Sequence, residues 1–198
     1  IFWATASTTS ALRIFRVRDT IDGIVGVWGG TTARNIFDVG AMGTLLHSIA
    51  TCGSGNFGTG IYARNAFATI IGNVCYRLSA GIWSGTSQSG IFWGNNTIAN
   101  CTTSITGVNA TTTIGTYYNN LSTVAWPAQP TNIVASGNSG PTGSSAWVTG
   151  SGTSYTVNTT DFADYANSDL TPLNGASPQV DTGILYYGYP DRDIRNLE

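Results

Sequence analysis

Short apolar runs alternate with polar turn residues along most of the chain. Val, Ile, Thr, Tyr, Phe and Trp cluster in short runs, which Gly, Asn and Ser separate. This texture is typical of β-strands that end in tight turns. No long stretch keeps the apolar period of about 3.6 residues that an amphipathic helix needs. The pattern therefore predicts an all-β protein.

The apolar runs recur with a period longer than that of a hairpin. Ile61, Ile82 and Ile105 end comparable segments and are separated by 21 and 23 residues. Asn73 and Asn96 precede Ile82 and Ile105 by the same distance, 9 residues. Such a period, with short strands and without the leucine spacing of leucine-rich repeats, indicates a solenoid. We expect a parallel β-helix with coils of about 21–24 residues, whose strands stack about 4.8 Å apart.

Asparagines recur along the predicted coils, as a single residue at Asn73 and as the pairs Asn95-Asn96 and Asn119-Asn120. In a stack of coils, Asn73, Asn96 and Asn120 can fall at one corner, because Asn tolerates the left-handed backbone that tight turns need. Their amides can also hydrogen-bond from coil to coil as a ladder. A charged residue there would face a like charge on the next coil. We therefore predict a structural role for these three asparagines.

The composition changes near residue 125. We expect residues 1–125 to form the β-helix coils. Residues 126–160 are rich in Gly, Ser, Thr and Pro. Because the open end of a solenoid is an unpaired sheet edge, we expect 126–198 to be an extended segment and a C-terminal cap of the same domain.

Two motifs carry a family resemblance. "NNTIANC" (95–101), followed by Ser104-Ile105, resembles coils of the right-handed parallel β-helix proteins related to pectate lyases. The C-terminal part is similar to a closing motif of that group, and the final "DIRNLE" resembles its Asp-Ile-Gly-Ala-aromatic-Glu ending, from which Arg195, Asn196 and Leu197 depart. The matching residues are Asp164-Tyr165, Leu170, Ser177-Pro178, Asp181, Gly183, Asp193, Ile194 and Glu198.

This resemblance covers about residues 20–198 and implies a right-handed, single-stranded parallel β-helix of the surface, tailspike or secreted carbohydrate-associated type. The group contains lyases, hydrolases, epimerases, adhesins and viral tailspikes. The resemblance therefore implies a fold without fixing an activity.

The chain carries little charge. Only 9% of its residues are charged, all eight basic residues are arginines, and the net charge is −2. Without a basic cluster, nucleic acid is not an expected partner. No apolar run reaches the roughly 18 residues of a membrane-spanning helix, so membrane insertion is not expected either. A neutral surface of hydroxyls and amides suits water, sugars or a neighbouring subunit.

Catalytic carboxylates are scarce in the coils. Glycoside hydrolysis usually needs two carboxylates about 5–9.5 Å apart, yet Asp and Glu are absent from Gly40 through Thr160. The candidates are therefore Asp19, Asp22 and Asp38, which could equally form salt bridges and cap turns. We expect any enzyme activity to depend on these three.

Other catalytic and metal-binding patterns are absent. The single histidine, His47, has no Ser/Asp pattern that would indicate a triad. Cys52, Cys75 and Cys101 lack metal-ligand spacing and are interpreted as small buried apolar residues, with one disulfide and a spare thiol as the alternative. We expect neither a metal nor a cofactor.

One row of residues could bind a ligand. Tyr62, Trp83 and Thr106 each follow an aligned isoleucine, so strand alternation sends them outward if the isoleucines point inward. Flat aromatic faces with Arg64 and Arg77 nearby suit sugar rings. The alternative is that residues 126–160 or another subunit cover this row.

The sequence thus favours a non-catalytic structural or glycan-contacting β-helix from an extracellular, cell-surface or phage-virion appendage. Its expected partners are a polysaccharide or glycan and other protein subunits in an oligomer. The alternative is a polysaccharide lyase or glycoside hydrolase that uses the N-terminal carboxylates. Binding of ice would need a flat rank of threonines on several coils, and the aligned outer position holds Tyr, Trp and Thr instead.

Overall fold

The strands are short and follow one another closely along the chain. The structure, a computed structural model, describes residues 2–4, 13–32, 34–53, 55–64, 66–84, 89–107, 114–144, 147–149, 154–167 and 169–172. The strands are β1 (Phe2–Ala4), β2 (Arg13–Val17), β3 (Thr20–Asp22), β4 (Val25–Trp28), β5 (Asn35–Val39), β6 (Thr44–Leu46), β7 (Ile49–Cys52), β8 (Thr59–Ala63), β9 (Thr69–Ile71), β10 (Val74–Tyr76), β11 (Ala80–Ser84), β12 (Ile91–Gly94), β13 (Thr97–Ala99), β14 (Thr103–Thr106), β15 (Gly115–Tyr118), β16 (Leu121–Ser122), β17 (Ile133–Ser136), β18 (Asn138–Gly140), β19 (Ser154–Thr156), β20 (Phe162–Asp164) and β21 (Asp169–Pro172). Two 3₁₀ helices are η1 (Thr159–Asp161) and η2 (Tyr165–Asn167).

Three parallel sheets run along the described coils. Sheet A has the strand order β1-β4-β7-β10-β13-β16-β18-β19, sheet B the order β14-β11-β8-β5-β2, and sheet C the order β17-β15-β12-β9-β6-β3. From β2 to β16 the chain visits sheets B, C and A in turn. Ile61, Ile82 and Ile105 are register partners in sheet B, so their sequence spacing is the length of a coil. The predicted all-β parallel β-helix is confirmed.

The core is a set of stacked rows, one from each sheet. Sheet B contributes Phe37, Ile61, Ile82 and Ile105, all nearly inaccessible to solvent. The opposing rows come from the other two sheets. They are Leu45, Ile70 and Trp93 in sheet C and Ala50, Cys75 and Ile98 in sheet A. Fully burying a large apolar side chain contributes about 1.5–3 kcal/mol, so these rows are the main source of stability. All three cysteines are buried, as predicted.

The corner between sheets C and A has the same backbone conformation in each described coil. The residue that turns the chain has a positive φ, which Gly and Asn adopt at little cost. These residues are Gly23, His47, Gly72, Asn95, Asn119 and Gly137. The paired asparagines therefore divide two tasks: Asn95 and Asn119 make the left-handed turn, and the residue after each faces the core.

That following residue forms a buried ladder. The Oδ1 atom of Asn96 accepts the backbone N–H of Asn73 at 3.0 Å, and Asn120 Oδ1 accepts that of Asn96 at 3.1 Å. The structure adds Ser48 at one end, whose N–H donates to Asn73 Oδ1, and Asn138 at the other, whose Oδ1 accepts the N–H of Asn120. The side-chain Nδ2 groups donate to the same oxygens and to core carbonyls. Each amide is thus satisfied inside the protein, as buried polar groups require.

Parallel stacking extends past residue 125. β17 pairs with β15 in sheet C, β18 pairs with β16 in sheet A, and β19 pairs with β18. Residues 126–160, expected to be extended chain, therefore also contribute parallel strands. β20 and β21 form a separate antiparallel pair.

Two indoles cover the core beside these last strands. The rings of Trp126 and Trp147 lie 5.2 Å apart, and Trp147 packs edge-on against Tyr117 at 5.0 Å. Their indole N–H groups donate to the carbonyl oxygens of Ser139 and Pro127, each at 2.9 Å. These bonds let two large polar-tipped rings be buried without loss of hydrogen bonding.

The segment with the resemblance motif contacts the coils at Tyr165. Its hydroxyl accepts the N–H of Asn100 at 2.6 Å and bonds Thr123 Oγ1 at the same distance. Asn100 is a left-handed corner residue, so Tyr165 satisfies a backbone group that the turn leaves open. The remainder of the motif, from Ser177-Pro178 to Glu198, lies outside the described residues.

Candidate glycan-contact surface

The centre of the site is an aromatic pair on sheet B. Tyr62 in β8 and Trp83 in β11 are register partners, with ring centroids 4.2 Å apart and ring planes at 39°. Ile61 and Ile82 precede them and are buried in the core. Both rings are half-buried, so each keeps an accessible part. The sequence predicted this pair from strand alternation alone.

A cation borders the pair on the Tyr62 side. The guanidinium carbon of Arg64 lies 5.6 Å from the Tyr62 ring centroid, within the range of a cation–π contact. Arg64 Nη2 also lies 3.1 Å from Asp38 Oδ2. The Arg64 side chain is 35% exposed, whereas that of Asp38 is 1% exposed. Asp38 thus neutralises and orients an arginine that lies against the aromatic pair.

Asp38 belongs to the same row as the aromatic pair. Register joins Arg16 to Asp38, Asp38 to Tyr62, and Trp83 to Thr106. The sequence assigned Asp38 to a possible catalytic group and Tyr62 to a glycan site. The structure places them side by side on adjacent strands.

A glycine allows Trp83 its position. Gly107 follows β14 with a φ of +76°, and a Cβ there would lie 2.7 Å from Trp83 Cε2 and would overlap the Ser84 carbonyl oxygen. The backbone at Gly107 therefore packs against the indole edge. Only glycine suits both the left-handed backbone and this close approach.

Arg77 is a corner residue of the solenoid. It follows β10 at the corner between sheets A and B, with a φ of 56°, and its N–H donates to the Ala99 carbonyl at 3.3 Å. Among the described residues, the cation–π contact with the pair is made by Arg64 and not by Arg77. Of the two predicted arginines, the structure brings Arg64 to the pair.

The three candidate carboxylates have separate surroundings. Asp19 lies in the exposed turn before β3, where its carbonyl accepts the N–H of Thr44. Asp22 ends β3 in sheet C and bonds His47 Nδ1 at 2.9 Å. Asp38 belongs to sheet B and pairs with Arg64. Among the residues that the structure describes, no group of three His, Cys, Asp or Glu side chains could hold a metal ion.

His47 is a corner residue with a covered ring. Its φ is 41°, and its imidazole lies over the next coil, where a Cβ on Gly72 would be 2.8 Å from His47 Cδ2. The bond to Asp22 orients the ring. These contacts describe a packed corner and provide no nucleophile beside the histidine.

Sheet C carries a threonine row that the sequence alignment did not reveal. The aligned positions are the first residue of β3, β6 and β9 and the second residue of β12, β15 and β17. They are Thr20, Thr44, Thr69, Phe92, Thr116 and Val134. Because Phe92 interrupts the row and Val134 ends it, the row is not an unbroken rank of hydroxyls.

Comparison with known proteins adds no relative. No family model, no curated protein and no solved structure matches the chain. Within the described residues, no helix has the length and apolarity needed to cross a membrane. The chain is thus characterised by its parallel β-solenoid and by the geometry of the surface just described.

Proposed function

We propose that this β-solenoid is a non-catalytic module that contacts a glycan through Tyr62 and Trp83. The observation that carries the proposal is the half-exposed aromatic pair, aligned on adjacent coils with centroids 4.2 Å apart. Aromatic rings offer apolar area together with a polar N–H or O–H group. Such a surface can pack on the C–H face of a sugar ring while its polar edge bonds to a hydroxyl.

The charges beside the pair favour a neutral glycan. Asp38 lies 3.1 Å from the Arg64 guanidinium and is almost fully buried, so it offsets the cation that an acidic sugar would seek. The remaining row position next to Trp83 is Thr106, a neutral hydroxyl. We therefore propose a neutral polysaccharide or glycan as the ligand.

The rest of the molecule supports a structural role. The Asn ladder and the stacked core rows connect each coil to the next through buried contacts, which suits a stiff spacer. A location on a cell surface, on a virion or outside the cell, and an oligomer with other subunits, are parts of the same proposal. They rest on the low charge of the chain and on the family resemblance of its motifs.

Affinity chromatography on immobilised polysaccharides tests this function. We expect retention on a neutral polysaccharide and weaker retention on an acidic one. Trp83→Ala should weaken binding about tenfold, equivalent to about 1.4 kcal/mol. The matched control is Phe67→Ala, which removes an aromatic ring that is 63% exposed at a different corner. Equal retention of Trp83→Ala and the parent protein would contradict the proposal.

The same samples test the enzyme alternative. Reducing ends and unsaturated products are followed during incubation with neutral and acidic polysaccharides. Turnover that Asp19→Asn or Asp22→Asn abolishes would overturn the non-catalytic proposal. Neither residue belongs to the Asp38–Arg64 pair. A loss of turnover in these variants would therefore report on catalysis and not on disruption of that pair.

A further inference from the structure

Exposed apolar side chains are concentrated on one side of the solenoid. In the part of the chain that the structure describes, the exposed large apolar side chains are Met42 (74%), Phe67 (63%), Ile114 (52%) and Val134 (50%). Val134 lies in sheet C, and the other three lie in the turns that lead from sheet B into sheet C. Because large exposed apolar patches on soluble proteins mark interaction sites, this side is a candidate interface.

The backbone of these turns supports the same conclusion. Met42 and Phe67 have φ angles of 57° and 61°, and Gly90 has 69° in the equivalent turn of the next coil. This left-handed conformation is unfavourable for a bulky side chain and costs glycine little. Two large side chains therefore occupy positions where they are both exposed and locally unfavourable. Such strained positions cluster at functional sites, so we expect Met42 and Phe67 to contact a partner.

The outer side of sheet C, together with these turns, is here called the sheet C face. Its middle is the threonine row that begins at Thr20 and ends at Val134. The turn column lies on one side of this row, and each of its members precedes the row by two residues. It consists of Arg18, Met42, Phe67, Gly90, Ile114 and Asn132. The Phe67 ring lies over Gly90, where a Cβ would be 2.6 Å from Phe67 Cδ1, so the middle of this column is an apolar ridge.

The far column lies on the other side of the row and is less accessible at its middle. Its members follow the row by two residues. They are Asp22, Leu46, Ile71, Gly94, Tyr118 and Ser136. Ile71 is 6% exposed, and Gly94 has no side chain, so this part of the column is a shallow groove. The face thus combines an apolar ridge with an apolar groove, and both repeat with the coil spacing.

We infer that the sheet C face binds the same face of a second copy of this chain. A twofold axis parallel to the solenoid axis, above the threonine row, places the turn column of each copy on the far column of the other. Phe67 of one copy then packs on Ile71 of the other, at the same coil level. Each coil meets its own equivalent, so ridge and groove stay in register along the whole face.

The charges on the face favour this arrangement. Only the first coil contributes charged residues to the three columns, Arg18 to the turn column and Asp22 to the far column. The twofold axis brings Arg18 of each copy to Asp22 of the other, so opposite charges meet twice. Asp22 bonds His47 but is 56% exposed, which leaves it accessible to a partner. An antiparallel pair would instead place both residues beside the uncharged last coil.

The size of the face sets the expected affinity. It spans six strands of sheet C, or about 29 Å, and five residues across each coil, or about 16 Å. A standard interface buries about 800 Å² on each partner, which is more than this face offers. We therefore expect a dimer that dissociates in the micromolar range. The inference rests on the oligomer that the proposed function includes, and it does not depend on the glycan surface, which lies on sheet B.

Sedimentation equilibrium across the micromolar range tests the dimer. The mass of the parent protein should rise with concentration to twice that of the chain. Phe67→Asn should weaken the dimer about tenfold without lowering the unfolding midpoint, because Asn accepts the left-handed backbone. The matched control is Arg77→Asn, which makes the same replacement at the corner between sheets A and B, where φ is 56°, and should dimerise like the parent. A parent protein that stays monomeric, or a Phe67→Asn variant that dimerises equally well, would overturn the inference.

Mixing of two charge variants tests the twofold arrangement. Arg18→Asp and Asp22→Arg should each dimerise about tenfold more weakly than the parent protein, because like charges then meet twice in each dimer. An equimolar mixture of the two variants should associate more strongly than either variant alone, since opposite charges meet again at both contacts. A mixture that associates no better than the separate variants would contradict the parallel pairing.

Retention on a neutral polysaccharide, measured on the same samples, separates this inference from the glycan function. A monomeric parent protein whose retention still depends on Trp83 would overturn the dimer and leave the glycan function in place. A dimer that Phe67→Asn weakens, without any retention, would support the dimer and contradict the glycan function.

Discussion

Asn96 Oδ1 accepts two hydrogen bonds from Asn73, one from the backbone N–H and one from Nδ2, each at 3.0 Å. The Asn96 side chain in turn donates to Asn120 Oδ1 and to the Ile70 carbonyl, both at 2.9 Å. One amide thus joins three successive coils. The Asn96 amide accepts through Oδ1 and donates through Nδ2, and the whole side chain is buried.

Replacement of Asn96 by aspartate should destabilise the fold strongly. A carboxylate would lose both donated bonds and would face the Asn120 oxygen in a buried site. We expect a loss of about 3 kcal/mol or more in the free energy of unfolding. Asn95→Asp is the matched control, because Asn95 is exposed and Asp also tolerates a left-handed backbone. Urea unfolding followed by circular dichroism measures both, and equal losses would contradict a special role for the ladder.

Removal of Arg64 should leave a buried charge on Asp38. Breaking a buried ion pair from one side typically costs about 3–5 kcal/mol; because Arg64 is partly exposed, we expect a loss nearer 2 kcal/mol in Arg64→Met. The control is Arg77→Met, which removes a different arginine, at the corner between sheets A and B. In the double variant Arg64→Met with Asp38→Asn, much of the loss should be recovered. A double variant less stable than Arg64→Met would show that the pair is not the cause.

Substitution of Gly107 should affect both stability and glycan binding. Alanine there would press on the Trp83 ring and on the Ser84 carbonyl, adding to a left-handed backbone cost of about 1–2 kcal/mol. Gly143→Ala is the control, since Gly143 has a φ of +81° and open space around its Cβ position. We expect Gly107→Ala to lose more stability than Gly143→Ala and also to lose retention on the neutral polysaccharide. Equal unfolding midpoints would contradict the packing argument.

Alkaline pH should lower the free energy of unfolding, because the core contains buried thiols. Burial raises the pKa of Cys101 from 9.0 to about 12 and raises that of Cys75 as well. Above pH 9 the unfolded chain releases these protons while the folded chain keeps them. The stabilisation is therefore complete below pH 9 and declines as the pH rises toward 12, by up to about 1.4 kcal/mol per pH unit for each thiol.

Urea unfolding from pH 7 to pH 11 measures this decline. Cys101→Ala should flatten the pH dependence above pH 9, because one thiol no longer titrates in the unfolded chain. Stability that is constant up to pH 11 in the parent protein would contradict the burial of these thiols.

The periodic features were readable from the sequence. Because each coil lies on the next, a position that turns the chain or fills the core repeats with the coil length. Ile61, Ile82 and Ile105 therefore appear in the sequence at the spacing that the structure gives their register. Asn138 was missed, although "GN" at Gly137-Asn138 repeats Gly72-Asn73 and could have revealed it.

The sequence by itself determined the all-β solenoid, its coil length and the outward placement of Tyr62 beside Trp83. Only the tertiary structure decided that Arg64 contacts the pair, that Asp38 neutralises it, and that the coils continue past residue 125. The physical reason is that stacking repeats along the axis and leaves a period in the sequence. Contacts across the core, and contacts between different types of side chain, depend instead on side-chain direction and length. These properties do not repeat along the sequence, so the sequence alone does not reveal them.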